Sequence, residues 1–221
     1  MKLEMFIPIA GESNDHYIGN DVGKDLSTKI ALMHSWASPG TDWYCFHHDD
    51  LTFASDDPYN DPVLLNQLAE CDRQGVGVAG VIGTLCLYPS CQWWNPMRPQ
   101  VTAGAIIQGF SNGQPDVVMA DGPGFRTDAV SVDGCCMFFS DRFLQKYEPH
   151  NFHPRYLYDV DACLGALYNG FKVAILDYRC RHQSEGKFDP GEFEVARKKF
   201  MEYWSPKVDF PVICSSRFRH G

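Results

Sequence analysis

Residues 42–51 read DWYCFHHDDL, an aromatic and apolar run that ends in two histidines and two aspartates. Along an extended backbone successive side chains point to opposite faces, so His48 and Asp50 share one side and His47 and Asp49 the other. A hard divalent cation such as Mg²⁺ or Mn²⁺ takes carboxylate oxygen and tolerates a neutral imidazole nitrogen. A strand that simply runs out into the solvated acidic loop DDLTFASDD is the other reading. The tetrad alone leaves both open.

Four further stretches carry residues of reactive type. YLYDVDACL sets Asp159 and Asp161 at a predicted helix N-terminus. Carboxylates there cap free N–H groups and meet the positive end of the dipole, or one of them serves as a general base toward an attacking hydroxyl. His182, in RCRHQSEGKF, follows a predicted strand and is either structural or a ligand. In SVDGCCMFF, Asp133 and Gly134 interrupt an apolar strand, as a tight bend does or as a closely approaching ligand requires. Cys135 and Cys136 have no histidine at a telling distance and read as core. Trp93 and Trp94 offer aromatic faces that stack on sugars or bases, or plain packing.

The elements that must position these groups alternate. EMFIPIAG reads as a first strand, and Val22, Leu26, Ile30, Met33 and Ala37 give a helical spacing after it. WYCFHHDD is a strand, and Asp61-Pro62 opens a helix with Val63, Leu64, Leu68 and Ala69 as its apolar face and Gly75 at its end. VGVAGVIG follows as a buried strand. Residues 87–129 hold Pro, Gly, Trp and Asn, with TAGAIIQGF and DVVMA as the only strand-like runs, and read as an irregular or β-ribbon insert. AVSVDGCCMFFS is a strand, Ser140 caps a helix through DRFLQKY, and Val160, Cys163, Leu164 and Leu167 mark a helix closed by Gly170. KVAILDYRCRH is a further strand. Asp189, Pro190 and Glu192 supply the cap, first-turn proline and capping-box partner of a last helix. This order predicts an α/β fold: an open, mixed but mostly parallel sheet flanked by helices. Ligands in such sheets bind beyond the carboxyl ends of the strands, where DWYCFHHDDL ends.

With 221 residues, 44% hydrophobic and 14% aromatic, the chain can fill a core. It carries 19 basic and 28 acidic residues, a formal charge of −9. That balance excludes a global field for nucleic acid and means that an anionic substrate needs local neutralisation. The nine cysteines are odd in number and form no CxxC, which reads as reduced, buried thiols. No run approaches the ~20 apolar residues of a membrane span, and the N-terminus is too brief for a signal peptide. The expectation is a soluble cytoplasmic protein.

Taken in order, FHHDDL, the Gly-rich strand, VDGCCMFFS, YDVDACLGALYNGFKVAILD and a strand ending RH resemble the GT-A fold (Rossmann-like) glycosyltransferases of family 2 type. The closest likeness is to the small bacterial and viral subgroup with a histidine before the acidic signature. It spans about residues 4–204, as one catalytic domain with 87–129 as an acceptor-side insert and 205–221 as a tail. The family's Asp-x-Asp matches His48-Asp49-Asp50, with histidine in place of the first aspartate. The resemblance implies metal binding by Asp50, with His182 and His48, and a donor contact from Asp49. It sets Asp133, Gly134, Ile9 and Gly11 near the donor, and SEGKF as a closing loop. The family's Glu-Asp-x-Asp matches YDVD, so Tyr158 replaces the glutamate and Asp159 takes the base position, with Asp161 as second candidate. Trp93 and Trp94 fall on the acceptor side.

What the resemblance implies is sugar transfer from a UDP- or GDP-sugar, UDP favoured, to an acceptor hydroxyl, inverting, with Mn²⁺ or Mg²⁺ as cofactor. A glycan or other hydroxyl is the expected acceptor; ARKK and SRFRH are the only hints toward DNA. The alternatives are a metal-dependent phosphohydrolase or nucleotidyltransferase, or a sugar-binding relative without activity.

Overall fold

The structure is a computed structural model that describes residues 1–9, 17–19, 39–92, 101–110, 115–119, 122, 124–183 and 188–220, with only the backbone of 5–9 and 17–19. The expected helix over 22–37 lies outside the described residues, as do Gly11, Trp93, Trp94 and 184–187 of SEGKF. Strands β1 (Leu3–Ile9), β2 (Tyr17–Gly19) and β3 (Trp43–His47) run parallel, with Leu3 opposite Trp43. All five residues of β3 are buried, and its faces divide cleanly. Trp43 and Cys45 enter one core, and Tyr44 and Phe46 enter the other. A strand covered on both faces needs no polar alternation, which is why the run reads as continuously apolar.

After β4 (Leu51–Phe53) comes α1 (Pro62–Arg73), capped by the Asp61 carboxylate, which accepts from Val63 N–H at 2.8 Å. Its buried stripe is Leu64, Leu68 and Cys71, whereas Val63, expected inside, is exposed. Next are β5 (Val76–Gly80), β6 (Ile82–Thr84) and β7 (Cys86–Leu87). The insert supplies β8 (Thr102–Gly104), β9 (Ile106–Gly109), β10 (Val117–Met119) and β11 (Arg126–Ala129). The expected TAGAIIQGF strand is thus two strands in two sheets. Gly104 breaks it at φ +85°, a backbone that an L side chain rarely adopts. β9 and β10 form the expected antiparallel ribbon.

AVSVDGCCMFFS also divides, into β12 (Ser131–Val132) and β13 (Cys136–Ser140). The Asp133 carboxylate accepts from Cys135 N–H at 2.7 Å and bends the chain between them, a side chain replacing the ladder. Ser140 caps α2 (Asp141–Leu144) as expected, but the helix ends before Tyr147. Pro149 follows closely and disfavours helical backbone at Glu148. Helix α3 (Tyr158–Tyr168) leads through Gly170 into β14 (Lys172–Ile175). KVAILDYRCRH breaks there, because Gln67 of α1 binds both backbone groups of Asp177, at 2.7 and 3.0 Å. The rest of it, β15 (Cys180–Gln183), belongs to another sheet.

Helix α4 (Pro190–Trp204) is capped by the Asp189 carboxylate, which accepts from Gly191 and Glu192 N–H at 2.8 and 3.0 Å. The expected reciprocal bond from Glu192 is not formed. Asp189 N–H goes instead to the Tyr156 hydroxyl at 2.9 Å, and Glu192 faces Arg155. The tail is fixed to the body: β16 (Val212–Ile213) pairs with β7, and Val208 and Val212 are buried.

The result is a mixed α/β fold. The main sheet has seven strands in the order β11-β14-β5-β13-β3-β1-β2. β1, β2, β3, β5 and β14 share a direction, which β13 and β11 oppose. A second sheet, β10-β9-β15-β4, and a third, β12-β6-β8, stand beside it. Buried residues of α1 and α4 lie in one core and those of α2 in the other, while α3 contributes to both. Among the described residues no helix is long and apolar enough to cross a membrane. We predict that Asp189→Ala lowers unfolding free energy in urea by about 1 kcal/mol, whereas Glu192→Ala stays within about 0.5 kcal/mol. Equal losses would contradict the capping described.

Candidate metal centre

The site begins where β3 leaves the main sheet. His48 N–H still binds Cys135 carbonyl at 2.9 Å, and Leu51 N–H closes a turn back onto His48 carbonyl at 3.2 Å. The chain then enters β4, which pairs antiparallel with β15, setting Leu51 opposite His182. Gln183 N–H extends the ladder to Asp50 carbonyl at 2.9 Å. The turn and the ladder thus bring residues 48, 50 and 182 to one point. Reading His182 as the end of a main-sheet strand is corrected: it arrives on the second sheet.

His48 Nδ1 lies 3.3 Å from His182 Nε2, and Asp50 Oδ1 lies 3.2 Å from that same nitrogen. One ligand atom from each of the three residues falls within 4.8 Å of the others. Two atoms bound at about 2.1 Å to one ion sit about 3.0 Å apart at a right angle and about 3.4 Å apart at the tetrahedral angle. Both contacts through His182 have that spacing. Asp50 Oδ1 is buried and has no hydrogen-bond partner among the described residues. A buried carboxylate oxygen without a donor, beside two imidazole nitrogens, is a donor set that fits a cation.

Burial pushes the His48 imidazole below its ordinary value; His182 adds to this, while Asp133, Asp50 and Asp49 oppose it. The neutral ring that a ligand must be is therefore favoured. Its Nε2 touches the Tyr158 hydroxyl at 3.0 Å. Tyr158 opens α3 and overlies Gly134, where a Cβ would come within 2.2 Å of the phenol oxygen. The glycine expected to admit a donor sugar therefore makes room for this tyrosine. His47 points away: it is buried, its Nδ1 meets His48 carbonyl at 2.8 Å, and its ring stands edge-on to Phe53. Asp49 is exposed on the turn.

Asp159 follows Tyr158. Its carboxylate accepts from Gly134 N–H at 3.2 Å and from Val160 N–H at 2.9 Å. Burial, reinforced by the nearby Asp133 charge, raises its pKa to about 7, and the two N–H bonds offset only part of this. Asp161 is different, and its candidacy as a base is corrected. Residues two apart on a helix point about 200° apart, and Asp161 is fully buried on the other side. It accepts from the Tyr147 hydroxyl at 2.6 Å, His150 N–H at 3.0 Å and Trp204 Nε1 at 2.9 Å. It anchors α4 and the 147–150 segment to α3.

For the donor-side candidates, Asp133 makes the bend described, and Ile9 ends β1. Cys135 and Cys136 are buried, and desolvation holds both thiols well above their ordinary value, as core residues. Of the basic stretches, Arg197 is bound to Glu194 and Pro89 carbonyl, and Arg219 to Asp209 and the Ser205 and Pro206 carbonyls. Motif matching set Tyr158 in the glutamate's place but gave it no role. Its only signal was a hydroxyl directly before the acidic pair.

No protein-family model matches the sequence, and no curated protein matches it. Among solved structures the chain is similar to A197 from STIV, at 11% identity and a TM-score of 0.49, over all of this chain and 95% of that one.

In protein treated with EDTA, the raised Asp159 pKa sets a sign. The unfolded chain releases this proton near 3.8 and the folded chain near 7, so stability falls as pH rises between those values. Asp159→Asn removes that cost. Its melting temperature is expected to gain on the parent's from about pH 5 to about pH 8; a constant difference would contradict the assignment.

Proposed function

We propose that the chain is a metal-dependent glycosyltransferase of GT-A type, moving a sugar from a UDP- or GDP-sugar to an acceptor hydroxyl. The observation that carries this reading is the convergence of His48, Asp50 and His182 at a strand end, with the Asp159 carboxyl on the helix start that meets it. His48, Asp50 and His182 would hold Mn²⁺ or Mg²⁺. When bound, that ion supplies the positive charge that a diphosphate needs in a protein of formal charge −9.

Asp159 is the proposed general base. A carboxyl with a pKa of about 7 is half ionised at neutral pH, where a base best combines availability with basicity. It takes the proton from the acceptor hydroxyl as that oxygen bonds to the anomeric carbon from the side opposite the leaving nucleotide, giving inversion. Gly134 N–H holds the carboxylate in place. Burial keeps its pKa high, and the charge of Asp133 on the same bend adds to this.

A panel of UDP- and GDP-sugars assayed with Mn²⁺ tests the reading, with metal-dependent donor turnover expected. Asp50→Asn is expected to abolish Mn²⁺-dependent binding of UDP and GDP, because the amide loses the charge that pairs with the cation. Asp159→Asn is expected to keep nucleotide binding and lose transfer by about 10²–10⁴-fold. Undiminished nucleotide binding by Asp50→Asn would exclude the metal role. Phosphomonoester hydrolysis with no response to UDP or GDP would instead identify a phosphohydrolase.

A further inference from the structure

We propose that Tyr158 is a positioning residue that makes His48 a metal ligand, and that the resulting set of two imidazoles and one carboxylate selects a transition-metal ion over magnesium. The inference rests on the functional reading above and adds the class of ion and the residue that sets it.

The Tyr158 hydroxyl meets His48, and three further features fix it there. The contact itself is 3.0 Å, to Nε2. Gly134 leaves the space the phenol occupies, since any Cβ there would overlap its oxygen. Leu157, directly before it, is held at φ 67°, a left-handed backbone that a branched, buried side chain rarely adopts. Strain of that kind persists where surrounding structure enforces it, and it clusters at working sites. The tyrosine ring also packs T-shaped against Phe46, with centroids 6.1 Å apart, so the main sheet supports its orientation as well.

A neutral imidazole carries one proton. With that proton on Nε2, His48 donates to the tyrosine oxygen, and its Nδ1 lone pair faces His182 and Asp50. Without the tyrosine oxygen the Nε2–H form loses its partner, and binding through Nδ1 weakens. Partners that orient a ligating histidine in this way typically contribute 10–100-fold in metal affinity. The selectivity follows from the donor set. Imidazole suits Fe²⁺, Ni²⁺, Cu²⁺ and Zn²⁺, with Mn²⁺ at the low end of the transition-metal order, whereas Mg²⁺ demands near-octahedral oxygen coordination and gives up water reluctantly. A histidine in place of a carboxylate also removes one negative charge from the set, which weakens the hardest ion most.

The test is calorimetric titration of the full chain with MnCl₂ and with MgCl₂ alone, without nucleotide, on the parent, Tyr158→Phe and His48→Asp. Tyr158→Phe keeps the ring and deletes only the oxygen. We expect the parent to bind Mn²⁺ at least tenfold more tightly than Mg²⁺, and Tyr158→Phe to weaken Mn²⁺ by about 10–100-fold at an unchanged metal-free melting temperature. His48→Asp should narrow the Mn²⁺ to Mg²⁺ preference. Pulsed EPR of the Cu²⁺-loaded protein should count two coupled imidazoles in the parent and one in either variant, a change that a purely structural role for Tyr158 would not produce. Equal affinity of the parent for Mn²⁺ and Mg²⁺ overturns this inference and leaves the transferase reading standing. Unchanged Mn²⁺ affinity in Tyr158→Phe overturns the positioning role. Failure of the parent to bind either ion overturns this inference and the metal-dependent reading together.

Discussion

The pairing of Leu51 with His182 decides where everything else in the site can be. Strand β3 is locked into the main sheet by β1 on one side and β13 on the other, so His48 has no freedom at its end. Two residues later the chain has changed sheets, and its new partner, β15, brings His182 to Asp50. Three side chains separated by up to 134 positions in sequence thus meet through one tight turn and one short ladder. His182 Nε2 stands between the other two, 3.2 Å from Asp50 Oδ1 and 3.3 Å from His48 Nδ1, so the fold gathers one carboxylate and two imidazoles where a single cation can bridge them.

Helix α3 meets this cluster with its first turn, and three residues there do different work. Tyr158 touches the histidine, Asp159 is held by the Gly134 bend, and Asp161 turns into the core to bind Tyr147, His150 and Trp204. The last of these makes the first two dependable: the anchored carboxylate fixes the helix start, so the phenol and the base keep their places. The raised pKa of Asp159 reflects the same arrangement, since the enclosure that positions the carboxyl also denies it water.

Much of this was legible in the sequence. The apolar run of β3, the Asp61, Ser140 and Asp189 caps and the Gly75 and Gly170 ends follow from local chemistry that no tertiary contact overrides. Strand alternation predicted a shared face for His48 and Asp50; they do converge, but through the turn that follows β3 and not along a strand. Three apparent strands were in fact broken: two by side-chain bonds invisible in periodicity, Gln67 on Asp177 and Asp133 on Cys135, and one by the positive φ of Gly104. The division of labour between Asp159 and Asp161 was available from helical geometry, because an i, i+2 pair cannot face one site. Tyr158 was not available, since its task depends on a glycine 24 positions away, whose missing side chain it fills.

A crystal structure of the protein soaked in MnCl₂, with anomalous data collected above the manganese edge, tests the central claim most directly. We predict one anomalous peak about 2.1–2.3 Å from His48 Nδ1, an Asp50 carboxylate oxygen and His182 Nε2. No peak at that point, or manganese bound only elsewhere on the chain, would contradict the account.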